Sequence, residues 1–205
     1  MIKVLNLYAG IGGNRKLWKD VEVTAVENNP KIAAIYQELY PEDKVIVGDA
    51  HKYLLDHYNE FDFIWSSPPC PTHSKLRKQF IGTRCGAEEI ILLKHHFKGK
   101  WVVENVNSYY EPLIKPFEIS RHYYWSNFIL FKIKTNKARF TLTNGTNKET
   151  DKEQIKRLEL ELDFNLSKYP GDKKTMLRNC VEPEVGLEIF NAAFKEKQEG
   201  LHHYS

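Results

Sequence analysis

Lys3-Val4-Leu5-Asn6-Leu7-Tyr8-Ala9-Gly10-Ile11-Gly12-Gly13 is the stretch that decides the fold class. Residues 3–7 read as an apolar strand. The glycines that follow allow a tight turn and let the backbone approach a ligand closely. A short helix predicted near residues 14–19 would turn its N-terminus, which favours a carboxylate or phosphate, toward that ligand. Working outward, residues 22–26 read as a second strand, and residues 30–40 as a helix with Pro30 in its first turn. Residues 44–47, 61–65 and 101–104 are further strands, with helices at residues 51–57 and 86–97. Strands alternating with helices in this way predict an α/β fold: a mostly parallel sheet with helices on both faces.

The second half has a different texture. Residues 119–133 are aromatic and β-branched and read as strands, and residues 143–151 are polar and turn-like. Residues 152–162 are helical in pattern, residues 169–174 form a loop, and a last helix covers residues 184–199. No stretch resembles a long linker, so residues 1–205 are expected to form one domain.

Bulk properties exclude several classes. With 41% hydrophobic and 28% charged residues the composition is that of a globular chain. The apolar runs are too short to cross a bilayer, and the chain opens on a strand-like segment rather than a basic leader. An intracellular, cytoplasmic protein is therefore expected, nucleoid-associated when bound to DNA, with no membrane partner. Three scattered cysteines, Cys70, Cys85 and Cys180, make neither a disulfide framework nor a zinc site. A net charge of +3 is too mild to decide for nucleic acid.

Chemistry concentrates at the predicted carboxyl ends of the strands, the edge where open α/β sheets bind ligands. Glu27 ends the second strand, where an acidic residue would hydrogen-bond ribose hydroxyls. Asp49 ends the third and suits an adenine amino group. Either would serve equally as a helix cap. The fourth strand runs into Ser66-Ser67-Pro68-Pro69-Cys70-Pro71-Thr72-His73-Ser74. Prolines on both sides and a basic stretch (Lys75, Arg77, Lys78, Arg84) argue against a buried cysteine. They favour a thiol brought toward the nucleophilic thiolate from its ordinary pKa of about 8.5. Trp101-Val102-Val103-Glu104-Asn105-Val106 is a buried-type strand ending on a carboxyl that could donate a proton or equally cap a turn. Cys85 and Cys180 lack such surroundings and read as structural.

These residues resemble the DNA cytosine-C5 methyltransferase family over nearly the whole chain, in the family's motif order, with the look of a short phage- or mobile-element enzyme. The resemblance implies a Rossmann-like methyltransferase fold that uses S-adenosylmethionine. Tyr8, Ala9, Gly10, Gly12 and Gly13 look like the aromatic-x-Gly-x-Gly cofactor loop. Glu27 with Asn28 and Asp49 with Ala50 match the positions that hold ribose and adenine. Pro69-Cys70 matches the nucleophile motif, with Pro69 also on the cofactor side. Glu104-Asn105-Val106 matches the Glu-Asn-Val motif, and Asn179 to Pro183 the late segment that returns to the cofactor. The implied reaction is addition of the Cys70 thiolate to C6 of cytosine while Glu104 serves N3. Methylation at C5 follows, and loss of the C5 proton expels Cys70. In duplex DNA the base would have to be flipped out.

Two departures stand out. The family's Gln-x-Arg-x-Arg segment is matched by Ile119-Ser120-Arg121-His122-Tyr123, which keeps Arg121 and puts Tyr123 where a second arginine is expected. The recognition region is reduced to about residues 131–177, with eleven Lys/Arg against seven acids. That predicts short or relaxed target specificity, or recognition lent by a partner protein; a solvated surface is the plainer alternative. The basic loop at residues 72–86 is expected to close over substrate. A tRNA substrate is the first rival to DNA, and a non-catalytic subunit that binds S-adenosylmethionine and DNA is the second. No metal is implied.

Overall fold

The computed structural model describes residues 1–69, 86–107, 112–133 and 149–195. Seven strands, β1 (Ile2–Leu7), β2 (Val21–Glu27), β3 (Lys44–Val47), β4 (Phe63–Ser66), β5 (Lys100–Val106), β6 (Phe117–Ile119) and β7 (His122–Ser126), form one sheet in the order β3-β2-β1-β4-β5-β7-β6. The first five pair in parallel; β7 runs antiparallel to both β5 and β6. The architecture is thus the mostly parallel, Rossmann-like α/β sheet expected from the sequence.

The parallel strands are nearly continuous apolar runs because both faces of the sheet are covered. On one face Val4, Val23, Phe63, Trp65 and Val102 pack with Trp18 and with Ile189 and Phe190 of α6 (Pro183–Phe194). The same face carries Tyr36 of α1 (Pro30–Leu39), against Ala25. The alternating residues Leu5, Leu7, Val26, Ile64 and Val103 face the other way. There they meet Leu54 of α2 (Ala50–His57) and Ile90 and Leu93 of α3 (Ala87–His96). Helices therefore lie on both faces. Asn29 and Asp49 cap α1 and α2 through their side chains, which fixes where each helix begins just beyond a strand end.

The C-terminal third closes over the glycine loop. Here α4 (Asp151–Leu162), begun by a Thr150–Glu153 capping box, and α5 (Lys173–Arg178) bury Leu158, Leu162 and Leu177 against Ile11 and Ile35. Helix α6 comes so near the segment after the loop that a Cβ on Gly186 would stand 2.3 Å from the Asn14 carbonyl oxygen. Trp18 Nε1 donates to the Gly186 carbonyl at 3.1 Å, and its ring stacks on Phe190 at 5.2 Å. No helix among the described residues is long and apolar enough to cross a membrane.

Three sequence expectations need correction. Residues 14–19 are not a helix: Arg15, Lys16 and Trp18 donate backbone N–H to residues three back, a run of turns pressed beneath α6. Residues 127–133 are irregular rather than strand. The loop expected at residues 169–174 gives way at Lys173 to α5, capped by Asp172.

The close approach at Gly186 sets a stability test. Gly186→Ala forces backbone apart and should cost about 2 kcal/mol or more, lowering Tm by roughly 4–8 °C for a chain of this size. Gly48→Ala, where a Cβ meets nothing within 4 Å, should shift Tm by no more than about 1 °C. Thermal unfolding of the two variants side by side checks both; equal shifts would contradict the packing described.

Candidate functional site

Parallel pairing places the carboxyl ends of β1, β2, β4 and β5 on one edge. Leu7 is level with Ser66, and Ser66 with Val103, so Tyr8, Ser67 and Glu104 lie one step further along three neighbouring strands. The three glycines of the loop then play different parts. Gly10 (φ 56°) has open space where a Cβ would be, whereas a Cβ on Gly12 would strike the Tyr40 and Tyr36 rings. On Gly13 it would meet the Val181 carbonyl oxygen at 2.6 Å. Gly12 and Gly13 are glycines for internal packing; Gly10 leaves a cradle on the open side.

The buried Glu27 carboxylate holds this cradle. It accepts from the Gly10 N–H at 3.0 Å and the Asn29 N–H at 2.8 Å, one bond on each oxygen. Asn28 is exposed beside it. Asp49 is exposed and accepts from the Lys52 N–H at 3.0 Å as the cap of α2, and Ala50 is buried as that helix's first residue. Ala9 is buried, its N–H bonded to the Val26 carbonyl. Tyr8 takes a left-handed backbone conformation (φ 55°), and its hydroxyl donates to Glu89.

At the end of β4, Pro68 is buried and Pro69 exposed. The Pro68 carbonyl accepts from the Asn105 side-chain amide at 3.2 Å, tying β5 to the chain that leads toward Cys70. Gly86, which opens α3, sits against the Pro68 ring and has φ 73°, so only glycine enters without strain. Cys70, Cys85 and the basic residues between them lie outside the described residues, as does the expected closure of that loop.

Glu104 is buried at the end of β5. Burial raises its pKa to about 7, opposed by a hydrogen bond from the Ser67 hydroxyl and by the positive charge of Arg121. Ser67 is itself fixed by the Trp65 indole N–H at 2.9 Å. His122 Nε2 lies 3.5 Å from the Glu104 carboxyl. Burial, helped by the charge of Arg121, pushes His122 down to about 3, so its ring is neutral. Arg121 also donates to the Arg178 carbonyl at 2.6 Å. That bond draws the segment with the exposed Asn179 toward β7, while the next residue, Cys180, packs under Gly13. The Cys180 thiol is pushed up to about 12 by burial and donates to the Met176 carbonyl, a structural cysteine. Tyr123 is half-buried with its ring edge-to-face against Trp125.

Sequence reasoning missed Ser67, Glu89 and His122 as members of this edge. Ser67 had a legible signal, since it stands between the strand and the prolines. Glu89, paired with Glu88 in a helix's first turn, looks like ordinary solvent-facing charge.

The model of the C-5 cytosine-specific DNA methylase family matches residues 2–112, just over half of the 205 residues. No curated protein matches the sequence. Among solved structures, a DNMT2 mutant from Spodoptera frugiperda is 25% identical, with 52% of this chain and 36% of that one covered and a TM-score of 0.40. A hypothetical protein of Thermus thermophilus is 18% identical over 60% of this chain and 73% of its own, with a TM-score of 0.44. A conserved hypothetical protein of Streptococcus pyogenes is 17% identical over 61% and 84%, with a TM-score of 0.43. This chain spans little more than a third of the DNMT2 it matches. With its family-matching segment running from β1 through the Glu104 strand, the chain belongs to the C-5 cytosine-specific DNA methylase family.

Proposed function

We propose that the chain methylates C5 of cytosine in DNA, with Cys70 as nucleophile, Glu104 as the acid at N3 and Arg121 as the cation that orients Glu104. The observation that carries this reading is the pairing of two features on β5. Burial lifts the Glu104 carboxyl to a pKa of about 7, and its neighbour Asn105 is bonded to the carbonyl two residues before Cys70.

S-adenosylmethionine is the cofactor of this family and supplies an electrophilic methyl group when bound. The residues at the edge fit it. Gly10 leaves room for a ligand against the backbone. Each Glu27 oxygen, with one lone pair committed to a backbone N–H, keeps another for a ribose hydroxyl. Tyr8, Ala9, Gly12 and Gly13 belong to the loop; Asn28, Asp49, Ala50, Pro69 and Asn179 are assigned to the same pocket by the likeness of their motifs to the family's.

C5 of cytosine is a poor nucleophile until C6 is attacked. The Cys70 thiolate adds to C6, and Glu104 delivers its proton to N3, which gathers the displaced electron pair onto the C5 side of the ring. After methyl transfer a base takes the C5 proton, the C6–S bond breaks and Cys70 leaves as thiolate, while Glu104 recovers its proton from N3. A carboxyl with a pKa near the working pH suits both directions of that transfer. In a duplex the cytosine must leave the stack, at a cost of a few kcal/mol met by contacts to base and phosphates.

DNA is favoured over tRNA by the Pro-Pro-Cys and Asn-Cys-Val segments. We assign residues 1–205 to one catalytic domain with a reduced recognition lobe. Leu158, Leu162 and Leu177 tie this region to Ile11 and Ile35 of the fold. From the shortness of the region we propose short or relaxed specificity, or help from a partner protein.

Tritiated methyl transfer from S-adenosylmethionine tests the assignment. Transfer to duplex DNA should exceed transfer to tRNA. Cys70→Ser should lose at least about 1,000-fold in rate while still binding S-adenosylhomocysteine. Preference for tRNA would move the substrate to RNA, and an active Cys70→Ser would remove the nucleophile.

The raised pKa of Glu104 gives a second test. Folding raises this carboxyl from an ordinary 4.5 to about 7, so the unfolded chain ionises first and the wild type loses stability as pH climbs through that window. Glu104→Gln escapes the loss. Relative to wild type it should gain about 2–3 kcal/mol between pH 5 and pH 8, measured by urea unfolding. A difference that stays flat across that range would place Glu104 in a solvated setting.

A further inference from the structure

Glu89 has no part in the reaction just described, yet it is among the most buried polar groups of the fold, 3% exposed in the first turn of α3. Three separate elements converge on its carboxyl. The Tyr8 hydroxyl, just past β1, donates to Oε1 at 2.6 Å. The Ser66 hydroxyl, at the end of β4, donates to Oε2. His51 Nδ1, in the first turn of α2, lies 3.4 Å from Oε1. The carboxyl thus joins the loop after β1, the strand that enters the nucleophile motif and the helix that begins beside Asp49.

We propose that Glu89 is a positioning residue for the methyl donor: it anchors the hydroxyl of Tyr8 and so fixes the aromatic ring that stands two residues before the Gly10 cradle. This rests on the reading of that cradle as the cofactor pocket. Tyr8 carries a left-handed backbone at φ 55°, which a residue with a side chain adopts at a cost. The ring therefore needs a hold from outside its own backbone preference. A short bond to a carboxyl supplies it, because a hydrogen bond to such a group is among the stronger ones in proteins. With the hydroxyl held, the ring is fixed before a ligand arrives, and the cost of ordering it on binding is avoided. Ser66 holds the carboxyl's other oxygen and His51 stands beside Oε1, so the anchor is itself held in place and the ring with it.

Calorimetric binding of S-adenosylhomocysteine to the full chain, with thermal unfolding alongside, tests this. Tyr8→Phe keeps the ring and deletes only the bond, and should weaken binding about five- to tenfold. Glu89→Gln should weaken it to a similar extent. The double variant should lose no more than about twofold beyond either single, because both remove the same tether. Binding within twofold of wild type in Tyr8→Phe, or fully additive losses in the double variant, would overturn the proposal. A fall in Tm with unchanged affinity would make Glu89 a structural group only, and would overturn it too. Should Glu89→Gln fail to fold, Tyr8→Phe decides alone. A folded wild type that does not bind S-adenosylhomocysteine would overturn the pocket assignment itself, and this inference with it.

Discussion

Strand β1 pairs in parallel with β2 on one side and β4 on the other, so a chain that has moved outward through β2 and β3 must come back across β1 before moving outward again. That reversal opens a crevice at the carboxyl ends of β1 and β4, where open α/β sheets take their ligands. The register then aligns the chemistry. Tyr8, Ser67 and Glu104 stand level across β1, β4 and β5, and the bond from Asn105 to the Pro68 carbonyl keeps the exit of β4 beside the carboxyl. Without that parallel register, the glycine loop, the proline-cysteine motif and the carboxyl would be three unrelated strand ends.

Among the described residues, three carboxyl groups are buried along this edge, each with different surroundings. Glu27 is satisfied by backbone N–H groups from the loop and from the start of α1, which makes it part of the loop's frame. Glu89 is satisfied by side-chain hydroxyls and ties elements together. Glu104 has a hydroxyl, a neutral imidazole and a guanidinium around it, yet desolvation outweighs them and leaves a carboxyl that holds its proton near neutral pH. A buried polar group left unpaired costs about 1–3 kcal/mol, a cost that the partners of Glu27 and Glu89 offset.

Much of this was legible in the amino-acid order, for identifiable reasons. Apolar runs buried on both sides, such as Phe63-Ile64-Trp65, announce strands whatever their neighbours. Gly10, Gly12 and Gly13 announce a turn, although only packing shows that Gly10 faces outward and the other two inward. What escaped was set by distant contacts. Residues 14–19 have the pattern of a short helix but are held as turns by the backbone of α6, nearly 170 residues later. Helix α5 hides behind Gly171 and Asp172, which read as turn residues, yet Asp172 is its cap. Glu89 reads as surface charge because nothing local reveals that Tyr8 and Ser66 point at it. The bidentate pair of Arg15 with the buried Asp43 is hidden for the same reason.

The proposed chemistry requires one cytosine ring to be reached from two strands, by the sulfur of Cys70 at C6 and by the carboxyl of Glu104 at N3. Incubation with S-adenosylmethionine and duplex DNA containing 5-fluorocytosine examines that directly, since fluorine cannot leave as a cation and the C6–S bond persists. The predicted result is a denaturation-resistant adduct whose peptide map ends on Cys70, and which fades in Glu104→Gln. Absence of any adduct with folded, cofactor-binding protein, or an adduct on Cys85 or Cys180, would contradict it.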